Sequence, residues 1–286
     1  MEMIYSKFPL QEQKNIEVVK NYYIPRTDWN NNTREDIHID LCKSLSFRLN
    51  DLIYTGQSVC AILRIPRLSK IEIRPHCITY SKRGSKLICW RYTAFPVKTW
   101  LYDNLRIVSY ERAIVDLAKY DSMESLLVSI NHCLNKKLFT KEQLLDELNS
   151  HGNKRYKSKI IKVLSLANNK CDSPLETIAF IAIYKAGLLI PEQQFEIVDG
   201  KSFIGRVDMY WKVWKKRIVL ELDGKIKYTD KDVLYAEKKR EDKLRDMKIE
   251  VIRATWHDVE SGRLVETLSN RGIPLRRYRK NNIFGE

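Results

Sequence analysis

The chain lacks any apolar run long enough to cross a bilayer. The longest clean one, residues 178–184, stops at Lys185, far short of the ~20 residues a spanning helix needs. The opening residues carry Glu2 and Lys7 and no run of roughly 7–15 apolar residues ahead of a small-residue cleavage site. A secretory signal is therefore not expected, and a cytoplasmic location is. Six cysteines are scattered with no Cys-x-x-Cys spacing, and His76-Cys77 and His132-Cys133 stand as isolated pairs. That pattern speaks against a structural zinc site and a disulfide framework, and for buried free thiols. Internal repeats are missing too. With 44% hydrophobic residues and a well-mixed 30% charged content, the 286-residue chain is a poor fit to disorder, collagen or a coiled coil. At roughly 150 residues per domain, two packed domains are expected.

Acidic charge is in short supply: 51 Lys and Arg face 36 Asp and Glu, a net +15 at pH 7. The excess is not confined to a tail, with 27 basic against 17 acidic residues up to Ser165 and 24 against 19 beyond it. A field of that sign concentrates polyanions, nucleic acid first and an anionic membrane second, although it also serves plain solubility. Two stretches favour nucleic acid. Between Arg64 and Tyr92, cations that include Arg74, Arg83 and Arg91 are interleaved with Tyr80, Trp90 and Tyr92, which pairs phosphate neutralisation with faces for stacking. The C-terminal Arg271, Arg276, Arg277, Arg279 and Lys280 suit a flexible arm against phosphates. Either stretch is equally well a solvated face.

Residues 1–35 lack clear periodicity and read as an extended or partly ordered leader. A helix is expected over 36–49, then short alternating segments at 71–74, 78–80 and 87–92 forming a small antiparallel sheet. A strand at 107–108 and helices over 110–120, 123–134, 140–148 and 156–167 follow. Arg112 and Asp116 pair across one turn at i, i+4, and Thr140 with Gln143 forms a capping box. A boundary falls near Asn168. Beyond it come a helix (174–186), a strand (194–198), a hairpin (203–211 and 217–223), a basic helix (232–247) and a last strand (249–254). That order, α-β-β-β-α-β, suggests an α/β sandwich rather than a bundle or barrel.

The chemistry concentrates in the hairpin. In 218–223, alternation puts Val219, Glu221 and Asp223 on one face and Ile218, Leu220 and Leu222 on the other. Asp208 lies on the preceding strand, and a hairpin brings it beside Glu221. Carboxylates gathered on a half-buried sheet repel one another and lose hydration, so they call for a cation. A divalent ion is one such cation, with hard oxygen ligands selecting Mg²⁺ or Mn²⁺, which bridge to phosphates. Neutralisation at the rim by Arg206, Lys225 and Lys227 is the other.

These residues resemble the PD-(D/E)XK restriction-endonuclease-like nucleases, and more closely the branch similar to the very-short-patch-repair endonuclease. The likeness covers about 173–259. It runs from Ser173-Pro174-Leu175-Glu176 and Gln194 to Gly205-Arg206-Val207-Asp208, then Glu221-Leu222-Asp223-Gly224, the helix segment 239–245, and 251–256. It implies a C-terminal restriction-endonuclease-like α/β sandwich (168–270) with a mixed sheet flanked by helices. A smaller α+β domain (1–167) precedes it and a basic tail (271–286) follows. It also implies that Asp208 and Glu221 hold Mg²⁺, for which Mn²⁺ substitutes, with the Leu222 carbonyl a further ligand. Glu176 would be an auxiliary ligand and Gln194 a support. Ser173 to Glu176 is also a complete capping box with Pro at the first helical position. Where the superfamily has the lysine of its Glu-x-Lys element, this chain has Asp223, leaving Lys225 or Lys227 as the cation. Arg206, Arg240 and Arg253 would contact phosphate, although Arg240 and Arg253 equally suit surface ion pairs.

The segments 55–63 and 109–118, with the helices after them, resemble the domain of type IV abortive-infection antitoxin proteins, without a winged helix-turn-helix at the start. Together the resemblances imply a Mg²⁺-dependent DNA endonuclease of bacterial defence or a mobile element. Its partners would be DNA and other proteins of such a system, with no membrane and with a homodimer possible for cutting both strands. The alternative is a non-catalytic DNA-binding regulator of the antitoxin class on a degenerate nuclease fold. An RNA binder or RNA nuclease is a third reading of the same charge and aromatics.

Overall fold

The computed structural model describes residues 3–7, 10–81, 84–151, 154–200, 202–224 and 231–276, and the chain divides into two compact units, Met1–Ala167 and Asn168–Glu286. The first unit is the larger of the two rather than the smaller.

It opens with β1 (Ile4–Tyr5), β2 (Asn15–Val19) and β3 (Tyr22–Pro25), an antiparallel sheet in the order β1-β3-β2. The stretch expected as a leader is therefore structured, and Met3, Tyr22 and Ile24 join the unit's core. Strands of two to five residues are too short for an alternating pattern to register. After α1 (Arg26–Asn31) comes α2 (Arg34–Arg48), started by a reciprocal Thr33–Asp36 capping box. Ile37, Leu41 and Leu45, spaced by one turn each, are buried by it. Every residue of α3 (Gly56–Ile62) is buried.

β4 (His76–Thr79) and β5 (Cys89–Tyr92) pair in parallel, and β6 (Thr99–Tyr102) and β7 (Leu105–Val108) antiparallel. Tyr54 bridges the two ribbons through Cys77 and Ile107. The expected antiparallel sheet is thus corrected: alternation assigns residues to faces but does not fix the direction of the neighbouring strand. Residues 71–74 form no strand. The Gln57 side chain pairs with both the N–H and the carbonyl of Glu72 at 3.0 Å, doing locally what a ladder partner would do. The unit ends in α4 (Tyr110–Leu117), α5 (Met123–Asn135), α6 (Lys141–His151) and α7 (Lys154–Leu166). Thr140 and Gln143 exchange the expected capping bonds at 2.8 and 3.3 Å ahead of α6.

The second unit runs α8 (Pro174–Lys185), β8 (Glu192–Asp199), β9 (Ser202–Val213), β10 (Lys216–Leu222), α9 (Lys231–Asp246), β11 (Ile249–Ala254), α10 (Trp256–Glu260) and α11 (Arg263–Asn270). Its sheet has the order β11-β10-β9-β8, antiparallel except for the parallel β10–β11 pair. Ile218, Val219 and Leu220 are all fully buried, so both faces of β10 are covered. On the Val219 face, Leu244 of α9 packs with Val207, Tyr210 and Ile249. α8, α10 and α11 pack on one another. The start of the expected basic arm is not free: Arg276 N–H reaches the Gly187 carbonyl at 2.8 Å, and its guanidinium lies 4.1 Å from the Tyr184 ring centre. Arg277, Arg279 and Lys280 lie outside the described residues. Among the described residues, no helix is long and apolar enough to cross a membrane.

Candidate functional site

The β9–β10 ladder ends at Met209 opposite Leu220, and Asp208 and Glu221 are the next residue on each strand. In place of a further ladder bond, Asp208 Oδ2 accepts the Leu222 backbone N–H at 2.8 Å. Its Oδ1 accepts from the Gln194 side-chain amide at 3.3 Å. The same Gln194 Nε2 donates to Glu176 Oε2 at 2.8 Å, so one amide joins a carboxylate from the first turn of α8 to a carboxylate on β9. Gln194 stands within β8 yet has φ 51, the left-handed region that a non-glycine strand residue rarely takes.

At α8, Ser173 Oγ accepts the Glu176 backbone N–H at 3.2 Å and Pro174 fills the first position, an N-cap that forms one half of the expected capping box, whose return bond would run from the Ser173 N–H to the Glu176 carboxylate. The Glu176 carboxylate is not absorbed by that motif, because Oε2 accepts both from Gln194 and from the backbone N–H of Asp172 at 3.1 Å. Glu176 is 5% exposed. Burial raises its pKa, and the Asp208 charge raises it further. Asp208 is also raised, chiefly by burial, with the Leu222 N–H, Gln194 and Arg240 acting in the opposite sense.

Glu221 and Asp223 already face cations. Arg240 and Leu244 are one turn apart on α9, so the helix face that packs Leu244 on Val219 delivers Arg240 to Glu221 Oε1 at 2.9 Å. Gly205 makes the room: a Cβ there would stand 3.0 Å from Arg240 Cδ. Arg253, opposite Glu221 in the β10–β11 register, pairs with Asp223 at 3.3 Å and Glu241 at 3.5 Å. Arg206 pairs with Asp172 at 2.9 Å. Lys225 and Lys227 lie outside the described residues.

The structure thus brings Glu176, Gln194 and Asp208 together and sets Glu221 and Asp223 against arginines. Among the described residues, these acids do not gather three carboxylates with oxygens mutually within 4.8 Å. The group that meets that spacing is Glu72, His76 and Cys89 in the first unit, which sequence reasoning missed. His76 and Cys89 are direct partners across the parallel β4–β5 pair. Thirteen positions apart in the chain, they give no recognisable ligand spacing, and only the strand direction puts them side by side.

The basic stretch of the first unit is largely committed to ion pairs. Arg64 reaches Asp36, Arg67 Asp121, Arg74 Glu72 and Arg91 Asp116. Arg112 meets Asp116 at 2.9 Å as a buried pair, and Thr55 Oγ1 donates to the same carboxylate at 2.7 Å. Arg83 lies outside the described residues. Tyr80 and Tyr92 remain about half exposed, at 52% and 54%. All six cysteines are free thiols, and of these only Cys89 is not buried. No family model, curated protein or solved structure matches this chain.

Proposed function

We propose that the second unit is a Mg²⁺-dependent DNA endonuclease of the restriction-endonuclease-like kind, with Mn²⁺ substituting. The observation that carries this reading is the Gln194 amide shared between Glu176 and Asp208, a buried and a half-buried carboxyl, both with raised pKa, with Asp208 on the strand that pairs with the one carrying Glu221. Such a group is destabilised without a cation and gains when one arrives. The donor set fits a hard divalent ion: Asp208 and Glu221 would hold it, with the Leu222 carbonyl and Glu176 in support. When bound, the ion would activate a water and stabilise charge on a phosphodiester. Gln194 holds Asp208 and Glu176 in place, and the Leu222 N–H fixes the Asp208 rotamer. Arg240 and Arg253 place positive charge beside the acids, where substrate phosphates would lie. Work on DNA in bacterial defence or a mobile element follows from the resemblance.

A second reading has its own support. The Arg240–Glu221 and Arg253–Asp223 pairs neutralise two of the acids without an ion, as a non-catalytic DNA-binding regulator of the antitoxin class would. Incubation of the purified chain with Mg²⁺ or Mn²⁺ and supercoiled, linear and branched DNA separates the two. Cleavage that disappears in Asp208→Ala and Glu221→Ala supports the nuclease. Salt-sensitive DNA binding without cleavage, and without Mn²⁺ uptake by calorimetry, supports the regulator.

A further inference from the structure

We propose that the first unit carries a second, chemically distinct metal site, in which Glu72, His76 and Cys89 bind Zn²⁺. One ligand atom from each lies within 4.8 Å of the other two. The donor set of thiolate, imidazole and carboxylate is the borderline mixture that zinc takes and Mg²⁺ avoids.

The imidazole is the independent witness. His76 is 2% exposed, and its Nε2 is buried without a hydrogen bond. The nearest acidic oxygen, Glu72 Oε2, is 3.5 Å away. Zinc bonds of about 2.0–2.3 Å in a tetrahedron set ligand atoms about 3.3–3.8 Å apart, so the Glu72–His76 pair already stands at that spacing. Side-chain movements of about an ångström at the partly exposed Glu72 and Cys89 would bring the third donor in.

The surroundings hold these donors in place. Tyr120 packs on the His76 ring at 4.4 Å between centres, and its hydroxyl lies 3.5 Å from Cys89 Sγ. The His76 backbone N–H is tied to Ser58 Oγ at 2.7 Å, and Cys89 N–H to the Pro75 carbonyl at 2.8 Å. Arg74 Nε occupies the other Glu72 oxygen at 2.6 Å, which leaves Oε2 turned toward the ring. Gly56 borders the other side: a Cβ there would meet His76 Nδ1 at 3.4 Å. On binding, Oε2, Nε2 and Sγ each donate a lone pair. The Cys89 thiol proton passes to solvent, the two anionic ligands balance the dication, and a water completes four-coordination. The ion would pin the strand-less segment around Glu72 to the β4–β5 pair.

Co²⁺ substitution in the full chain tests this. After chelator treatment and dialysis, one equivalent of Co²⁺ is expected to give tetrahedral visible bands and a thiolate-to-metal charge-transfer band, both displaced by Zn²⁺. Cys89→Ser is expected to lose the charge-transfer band and to weaken Zn²⁺ binding about a hundredfold, with Glu72→Gln weakening it at least tenfold. Asp208→Asn retains both, which separates this site from the acids of the second unit. Zn²⁺ should also protect Cys89 from alkylation in the wild type and not in Glu72→Gln, a readout that survives if Cys89→Ser misfolds. No charge-transfer band in the wild type, an undiminished one in Cys89→Ser, or alkylation of Cys89 indifferent to Zn²⁺ overturns the proposal.

Discussion

His38 shows how far one buried side chain reaches. The His76 N–H donates to Ser58 Oγ, and the Ser58 hydroxyl meets His38 Nε2 at 2.9 Å. His38 Nδ1 in turn lies 2.9 Å from the Glu72 carbonyl. Burial pulls the His38 pKa from 6.5 down to about 3, and His76 is pulled down to about 4. Between pH 6.5 and those values the unfolded chain binds protons that the folded chain does not, so stability falls as pH falls through that window. Each histidine contributes a slope of up to about 1.4 kcal/mol per pH unit. Denaturant titrations at pH 7 and pH 5 should show the loss, and His38→Gln should flatten it. Asp208 has the opposite sign. A carboxyl raised by burial favours the folded state only where it is protonated, so its contribution declines as pH rises above the unfolded value. Asp208→Asn, which still accepts the Leu222 N–H but loses the acceptor facing the Gln194 amide, should therefore remove this decline of stability with rising pH. It should also lower metal-dependent cleavage by about three orders of magnitude. Loss of that decline alongside lost activity marks a functional carboxylate; a lower midpoint at every pH alongside lost activity marks a structural one.

At the scale of elements, α9 and β10 share one arrangement: Leu244 seals the core and Arg240, a turn earlier, neutralises Glu221. Glu221 is 8% exposed, so removing its cation leaves a poorly solvated charge. Arg240→Gln is expected to cost about 2–3 kcal/mol in chelator, below the 3–5 kcal/mol of a fully buried pair because Arg240 is partly exposed. Mn²⁺ should restore part of that loss; equal destabilisation with and without Mn²⁺ would count against a cation site at Glu221. The elements around this pair were legible in advance. The hairpin and both flanking helices could be read from apolar periodicity and, for α8, the capping residues, and so could the placing of Asp208 and Glu221 on paired strands. The Arg240 pairing was not: residue 240 lies nineteen positions from Glu221, and local pattern says which face of a helix is apolar, not which strand residue it meets. Gly205 gained its meaning, clearance for Arg240, only in three dimensions.

For the whole molecule, the +15 charge overstates the free cations, since Arg64, Arg67, Arg74 and Arg91 each hold an acid. Duplex binding through about four phosphate contacts should weaken about a hundredfold between 50 and 200 mM salt. A change below tenfold, measured by fluorescence anisotropy, would point to fewer contacts than the proposed function needs. The amino-acid order by itself determined the second unit's α-β-β-β-α-β succession and the caps at Thr140 and Ser173, because each rests on neighbours within a turn or a strand. Tertiary structure alone decided that β4 and β5 run parallel, that the first residues build a sheet, and that Glu72, His76 and Cys89 converge. Those outcomes depend on which distant segments share a core, and burial energy is summed over the folded chain rather than along it.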